Sequence, residues 1–212
     1  MTAARAAGRP LLALAGGMAL VVLAALAFTL LTARPSSGGT PGTDSPDAGF
    51  ARDMAIHHQQ AVEMSLIVRD RTDDEDVRRL AYDVINTQAN QRGMLLGWLD
   101  VWRLPKSSSE PPMGWMAHDM GYSPHDGSLM PGMATNAELR RLGAADGKAA
   151  AVLYLQLLTA HHKGGVEMAA AAADLARTDQ VRRLAAGMVE GQETEIRLMA
   201  DMLAARGASP SP

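Results

Sequence analysis

The chain is predicted to be all-α: a four-helix bundle made from two copies of one helical hairpin, preceded by a single apolar helix. Three observations lead there. First, His57-His58-Gln59-Gln60-Ala61-Val62-Glu63-Met64 recurs 104 residues later as His161-His162-Lys163-Gly164-Gly165-Val166-Glu167-Met168. Second, the same ungapped offset carries Val77-Arg78-Arg79-Leu80-Ala81 onto Val181-Arg182-Arg183-Leu184-Ala185, Gln88 onto Gln192, Phe50 onto Tyr154 and Leu99 onto Leu203. Third, aromatic residues make up only 4% of the chain while alanine and leucine abound, which favours helix over sheet. One hairpin cannot bury the apolar stripes of both its helices, so two copies pack together.

The apolar helix comes first. Arg5 and Arg9 precede Leu11–Leu31, 21 residues without a charge and long enough to span a bilayer. The basic residues place 1–10 in the cytoplasm and everything after the span outside it. Ala25-Leu26-Ala27 also fits a signal-peptidase site, and cleavage there gives a secreted protein instead of a single-pass membrane protein. Residues 32–46, rich in Ser, Gly, Thr and Pro, form a flexible linker.

The bundle occupies 47–206. The first helix starts at Ser45 or Asp47, either of which can cap it, and runs to Asp70. Thr72-Asp73-Asp74-Glu75 opens the second, with acids where the helix dipole favours them. Val77, Leu80, Ala81, Val84, Leu95, Trp98 and Trp102 keep helical spacing until Pro105 ends it near Leu104. Residues 105–135 contain five prolines and little periodicity and read as a long loop. A short helix follows over Asn136–Leu142, closed by Gly143. The third long helix, capped by Asp146, carries the second His pair to Arg177. The fourth runs from Thr178-Asp179 to Arg206-Gly207, and 207–212 is a disordered tail.

Composition narrows the chemistry. The absence of cysteine excludes disulfides, thiolate catalysis and a lipid-modified N-terminal cysteine. Beyond Arg34 there are 17 basic and 23 acidic residues, so no basic face for nucleic acid is expected. Glu-x-x-His, His-Glu-x-x-His, Gly-x-Ser-x-Gly and phosphate-binding glycine loops are all missing, so enzyme signatures are weak.

What remains is a pattern of metal-ligand types. Of six histidines, four form the two pairs, and the other two, His118 and His125, lie in the long loop. On a helical wheel Met54, His57, Ala61 and Met64 share one face, as do Leu158, His161, Gly165 and Met168. His58 and His162 sit at its edge, and Glu63 and Glu167 follow further along. On the partner helices Gln88 and Gln192 interrupt apolar stripes, with Gln91 and Glu195 three residues on. Neutral imidazole is the commonest metal ligand. The loop adds Met113, Met116, Met120, Met130 and Met133, whose soft thioethers select Cu(I) over harder cations. The competing reading makes the imidazoles partners of buried polar groups and the methionines filler.

At these residues the chain resembles the family called domain of unknown function 305. The doubled His-His-x4-Glu-Met motif, the downstream Leu-Ala…Gln pattern and Met130-Pro131-Gly132-Met133 carry the resemblance over 47–206. It implies a ferritin-like four-helix fold, a secreted or membrane-anchored protein, and a link to copper, with His57, His58, His161, His162, Met64 and Met168 at the motif positions. Two departures stand out: Leu158-Thr159-Ala160 lacks the usual methionine, and Lys163 replaces a usual glutamine.

The expected function is therefore an extracytoplasmic protein, anchored by its N-terminal helix, that binds copper for buffering, storage or transfer to a copper-handling protein. The expected metal ligands are His57, His58, Glu63, Met64, His161, His162, Glu167, Met168, Met113, Met116, His118, Met120, His125, Met130 and Met133. A ferritin-like metal-dependent oxidoreductase and a helical interaction module without metal are the alternatives.

Overall fold

The computed structural model describes residues 39–116 and 121–210. The expected span Leu11–Leu31, the linker to residue 38, His118, Met120 and the last two residues lie outside the described residues. No helix among the described residues is long and apolar enough to cross a membrane.

Residues from Thr40 onward form one compact unit of five helices: α1 (Pro46–Arg69), α2 (Glu75–Val101), α3 (Asn136–Ala144), α4 (Gly147–Leu175) and α5 (Asp179–Ala205). Among the described residues there is no strand, only an isolated bridge between His125 and Ser128. Helices α1 and α2 form one hairpin and α4 and α5 the other; α1 and α4 join the two.

The two hairpins meet antiparallel, and this follows from which residues share a core. Phe50, Met54 and Ala55 from the first half of α1 pack with Met168, Ala169 and Ala172 from the second half of α4. Ala61, Met64 and Val68 from the second half of α1 pack with Tyr154, Leu155 and Leu158 from the first half of α4. Two apolar clusters result. Each fully buried Leu, Phe or Met contributes about 1.5–3 kcal/mol. His57 and His161, at the midpoints, fall where the clusters meet.

Helix limits follow local chemistry. Ser45 caps α1, its Oγ accepting from Ala48 N–H at 3.3 Å, with Pro46 in the first turn. Helix α2 starts later than the acidic run suggests, because Asp74 is the cap: its Oδ1 accepts from Val77 N–H at 3.2 Å. It stops at Val101, before Leu104, because Arg103 turns to a left-handed φ of 57°. Thr135 and Glu138 form a capping box on α3.

Two expected caps work differently. Asp146 stands at the N-cap of α4 without a side-chain hydrogen bond to the helix, its carboxylate facing Arg71 at 3.6 Å instead. Thr178, at the N-cap of α5, also makes none of its own. The start of α5 is held instead by Asp47 of α1, whose buried carboxylate accepts from Arg177 N–H and Thr178 N–H, both at 2.9 Å, and from the Thr178 hydroxyl at 2.7 Å. At the other end Arg206 pairs with Asp74. The tail is anchored at its base: Ala208 packs on the second cluster and Gln156 Nε2 donates to the Ser209 carbonyl at 2.9 Å.

The long loop folds onto the bundle. Asp53 Oδ2 accepts from Met113 N–H at 2.7 Å and Trp115 Nε1–H at 2.8 Å. Trp115 lies so close over Gly49 that a Cβ there would come within 2.4 Å of the indole. Further along, Gln60 clamps Ala134 in both directions: its Nε2 donates to the carbonyl at 2.8 Å and its Oε1 accepts from the N–H at 2.7 Å.

Candidate metal centre

The four paired histidines are brought together at the crossing of α1 and α4, and all four are fully buried. His57 and His161 stack, ring centroids 3.7 Å apart and planes tilted by 31°. The His161 and His162 rings lie 6.2 Å apart. The duplication is preserved in the contacts: His58 Nε2 meets Gln91 Oε1 at 2.8 Å, and His162 Nε2 meets Glu195 Oε2 at 2.6 Å. The cluster is thus pseudo-symmetric in shape and asymmetric in charge, with one carboxylate where the other half has an amide.

Burial keeps His57, His58 and His161 neutral. Desolvation, aided by the neighbouring imidazoles His58 and His162, pulls His57 down to about 3. Desolvation likewise lowers His58 to about 4, against the hydrogen bond that its Nε2 donates to Gln91 Oε1. His161 is pushed well below its usual value by desolvation and then by the other three rings. Neutral imidazole is the form that ligates a metal.

The centre is under-satisfied. His161 Nε2 reaches the His57 carbonyl at 3.0 Å. Yet both nitrogens of His57, Nδ1 of His58, His161 and His162, and the Oε1 atoms of Gln88 and Gln192 are buried without a partner. The Pro131 carbonyl faces His57 closely enough to favour its charged form slightly, but does not complete a hydrogen bond. Buried polar groups are nearly always bonded to protein or to ordered water, so these seven atoms mark where a water, an ion or another ligand would be taken up. Neutral imidazole nitrogen is a donor type that suits copper. Among the described residues, however, no three His, Asp or Glu side chains converge as a ready cage.

The Met130-Pro131-Gly132-Met133 turn covers the centre. A Cβ on Gly164 would lie 2.0 Å from the Pro131 carbonyl oxygen, and one on Gly132, at φ +78°, 2.3 Å from the Ala160 carbonyl. Gly164 occupies the position equivalent to Gln60, so the loop docks on two duplicated sites, gripped at one and admitted at the other. Next to it, Gly165 leaves room for the Gln192 amide, 2.3 Å from where a Cβ would be.

The remaining expected ligands divide. Met130 is fully buried, and Met133, Met54, Met168 and Met188 share its apolar cluster, with Met113 against it. Met64 lies in the opposite cluster, and Met116 is buried. Glu63 and Glu167 are exposed and stand outside the histidine layer. The carboxylate that reaches it is Glu195. His125 is exposed, bonded to the Ser123 carbonyl and beside Tyr122. Asp53 carried no motif in the sequence, and Gln60, inside the repeated stretch, was not marked as a docking residue; the Gly164-Gly165 departure from Gln60-Ala61 was the visible trace of close approach.

Similar proteins agree with this architecture. A Streptomyces coelicolor protein named as secreted, with the same domain of unknown function, is 62% identical over 81% of this chain and 99% of its own, with a TM-score of 0.74. A Deinococcus radiodurans fragment with that domain is 28% identical over 76% of this chain and 96% of its own, TM-score 0.62. CopM in a Cu(II)-bound form shares the fold at 19% identity, covering 74% of this chain and 95% of its own with a TM-score of 0.55; it has also been solved in a Cu(I)-bound form. No curated protein matches the chain. The family described as "Domain of unknown function (DUF305)" matches residues 47–203, and the chain belongs to that family.

Proposed function

We propose that this protein binds copper outside the cytoplasm, to buffer, store or hand on the metal. The observation that carries the reading is the group of four fully buried imidazoles whose Nδ1 atoms all lack partners. His57, His58, His161 and His162 are the proposed nitrogen donors. Met130 and Met133, on the turn that covers them, are the proposed soft donors, with Met113 and Met168 in the same cluster. CopM, known in copper-bound forms, supports the choice of metal. The uncharged stretch Leu11–Leu31 supports a location outside the cytoplasm, either tethered or released by cleavage.

The test is a titration of the full-length chain with Cu(I) under a competing chelator, and with Cu(II) and Zn(II) separately. The reading expects stoichiometric copper binding and a melting temperature that rises with copper, since a ligand of the folded state stabilises it by linkage. A melting temperature indifferent to copper at saturating concentrations would overturn it.

A further inference from the structure

The four imidazoles have no exposed surface, so a metal reaches them either past the covering turn or through an opening between helices. The loop covers one face of α4, at Gly164, while the adjacent Gly165 turns towards Gln192 on α5. There, between α2 and α5, is a small cavity of about 40 Å³ lined by Thr87, Gln88, Gln91, Gly191, Gln192 and Glu195. A water needs roughly 10–15 Å³, so the space admits a small ion with little hydration.

This slot is connected to the histidines by direct contact. Gln91 and Glu195 on its wall are the groups bonded to His58 and His162. Gln88 and Gln192 on its wall are 3% and 5% exposed, and the Oε1 of each has no partner. Its rim is open because α5 carries glycine at 187 and 191, and a Cβ at either position would meet nothing within 4 Å. Glu195, its side chain 25% exposed, is the one carboxylate on the wall.

We propose that the slot between α2 and α5 is the access route of the metal dication to the buried centre, and that Glu195 is its first ligand, passing the ion to His162. The proposal rests on the copper reading above. Glu195 spans the two environments: water on one side, an imidazole at 2.6 Å on the other. The amide oxygens of Gln88 and Gln192 are neutral acceptors that partly replace the hydration shell as the ion moves inward. Gln91 in the other half lacks charge, which makes the route one-sided.

The experiment measures Cu(II) uptake by the full-length protein in stopped flow, alongside equilibrium stoichiometry and melting temperature. Gly191→Leu and Gly187→Leu each start a side chain at an open rim position, where a Cβ meets nothing within 4 Å, and raise helix propensity. Each is expected to slow uptake at least tenfold with stoichiometry unchanged. Gly93→Leu, equally free of neighbours but away from the slot, is expected to leave the rate unchanged. Glu195→Gln copies Gln91 of the other half, so it keeps the fold, and it is expected to slow uptake several-fold. Wild-type uptake rates in all three slot variants would overturn the access route while leaving copper binding intact. Absence of Cu(II) binding in the wild type would overturn the route for the dication, and absence of both Cu(I) and Cu(II) binding would overturn the copper reading as well.

Discussion

His57 and His161 occupy equivalent positions of the two repeats and stack on each other, 3.7 Å between ring centroids. Two imidazoles this close, in a site without exposed surface, can both be held only while neutral. Folding therefore works against protonation here, and metal binding does not have to displace a charge.

The pH dependence of the apo-protein follows with a definite sign. Above pH 6.5 these rings are neutral in both folded and unfolded chains, and their contribution is fully present. Below it the unfolded chain takes up protons that the folded chain refuses, until pH falls through about 4 at His58 and about 3 at His57. His161 is shifted the same way. Each such histidine removes about 1.4 kcal/mol of stability per pH unit in that window. Denaturant unfolding of metal-free protein should lose stability steeply between pH 6 and 4; a flat profile there would mean that the rings protonate in place.

Gly164→Ala should cost about 2 kcal/mol or more, because its methyl would collide with the Pro131 carbonyl that covers the centre. Gly187→Ala, at an open helical position, should stabilise by roughly 0.5–1 kcal/mol. Thermal melts of the two variants give the comparison, and equal effects would place the Met130–Met133 turn elsewhere.

Asp53 latches the first part of the loop through one oxygen. Asp53→Ala should release Trp115 and lower stability by about 1–3 kcal/mol, seen as a red shift in tryptophan emission. Asp53→Asn keeps an acceptor oxygen, and burial already raises the carboxyl's pKa, so this variant should behave nearly as wild type. A red shift of equal size in both would assign the effect to charge rather than to the latch.

Asp47→Ala should be among the more damaging single changes away from the histidines. It leaves the Arg177 and Thr178 N–H groups, at the partly exposed start of α5, without their acceptor, a loss of about 1–2 kcal/mol. Hydrogen exchange should quicken at Arg177 and Thr178 first; unchanged protection there would show that solvent already serves as their cap.

The long helices, their pairing and the gathering of the four histidines were legible because the duplication forces them. An ungapped offset that matches Phe50 to Tyr154 and Gln88 to Gln192 fixes helix length and face together. The helical wheel also held the answer for Glu63: six positions beyond His57 is about 240° round the helix, on the outer surface. What could not be read was long-range and irregular. Asp47 reaches across 130 residues to cap α5, and no local pattern announces it. The docking of residues 105–135 depends on Asp53, Gln60 and the absent side chain of Gly164, a fit of surfaces that has no periodicity.

The most direct test of the buried histidine centre is copper K-edge X-ray absorption on the copper-loaded full-length protein. The account predicts imidazole nitrogen in the nearest shell, recognised by outer-shell scattering from the ring carbons. A shell of sulfur alone would contradict it, moving copper to the methionines and leaving the stacked histidines as a structural pair.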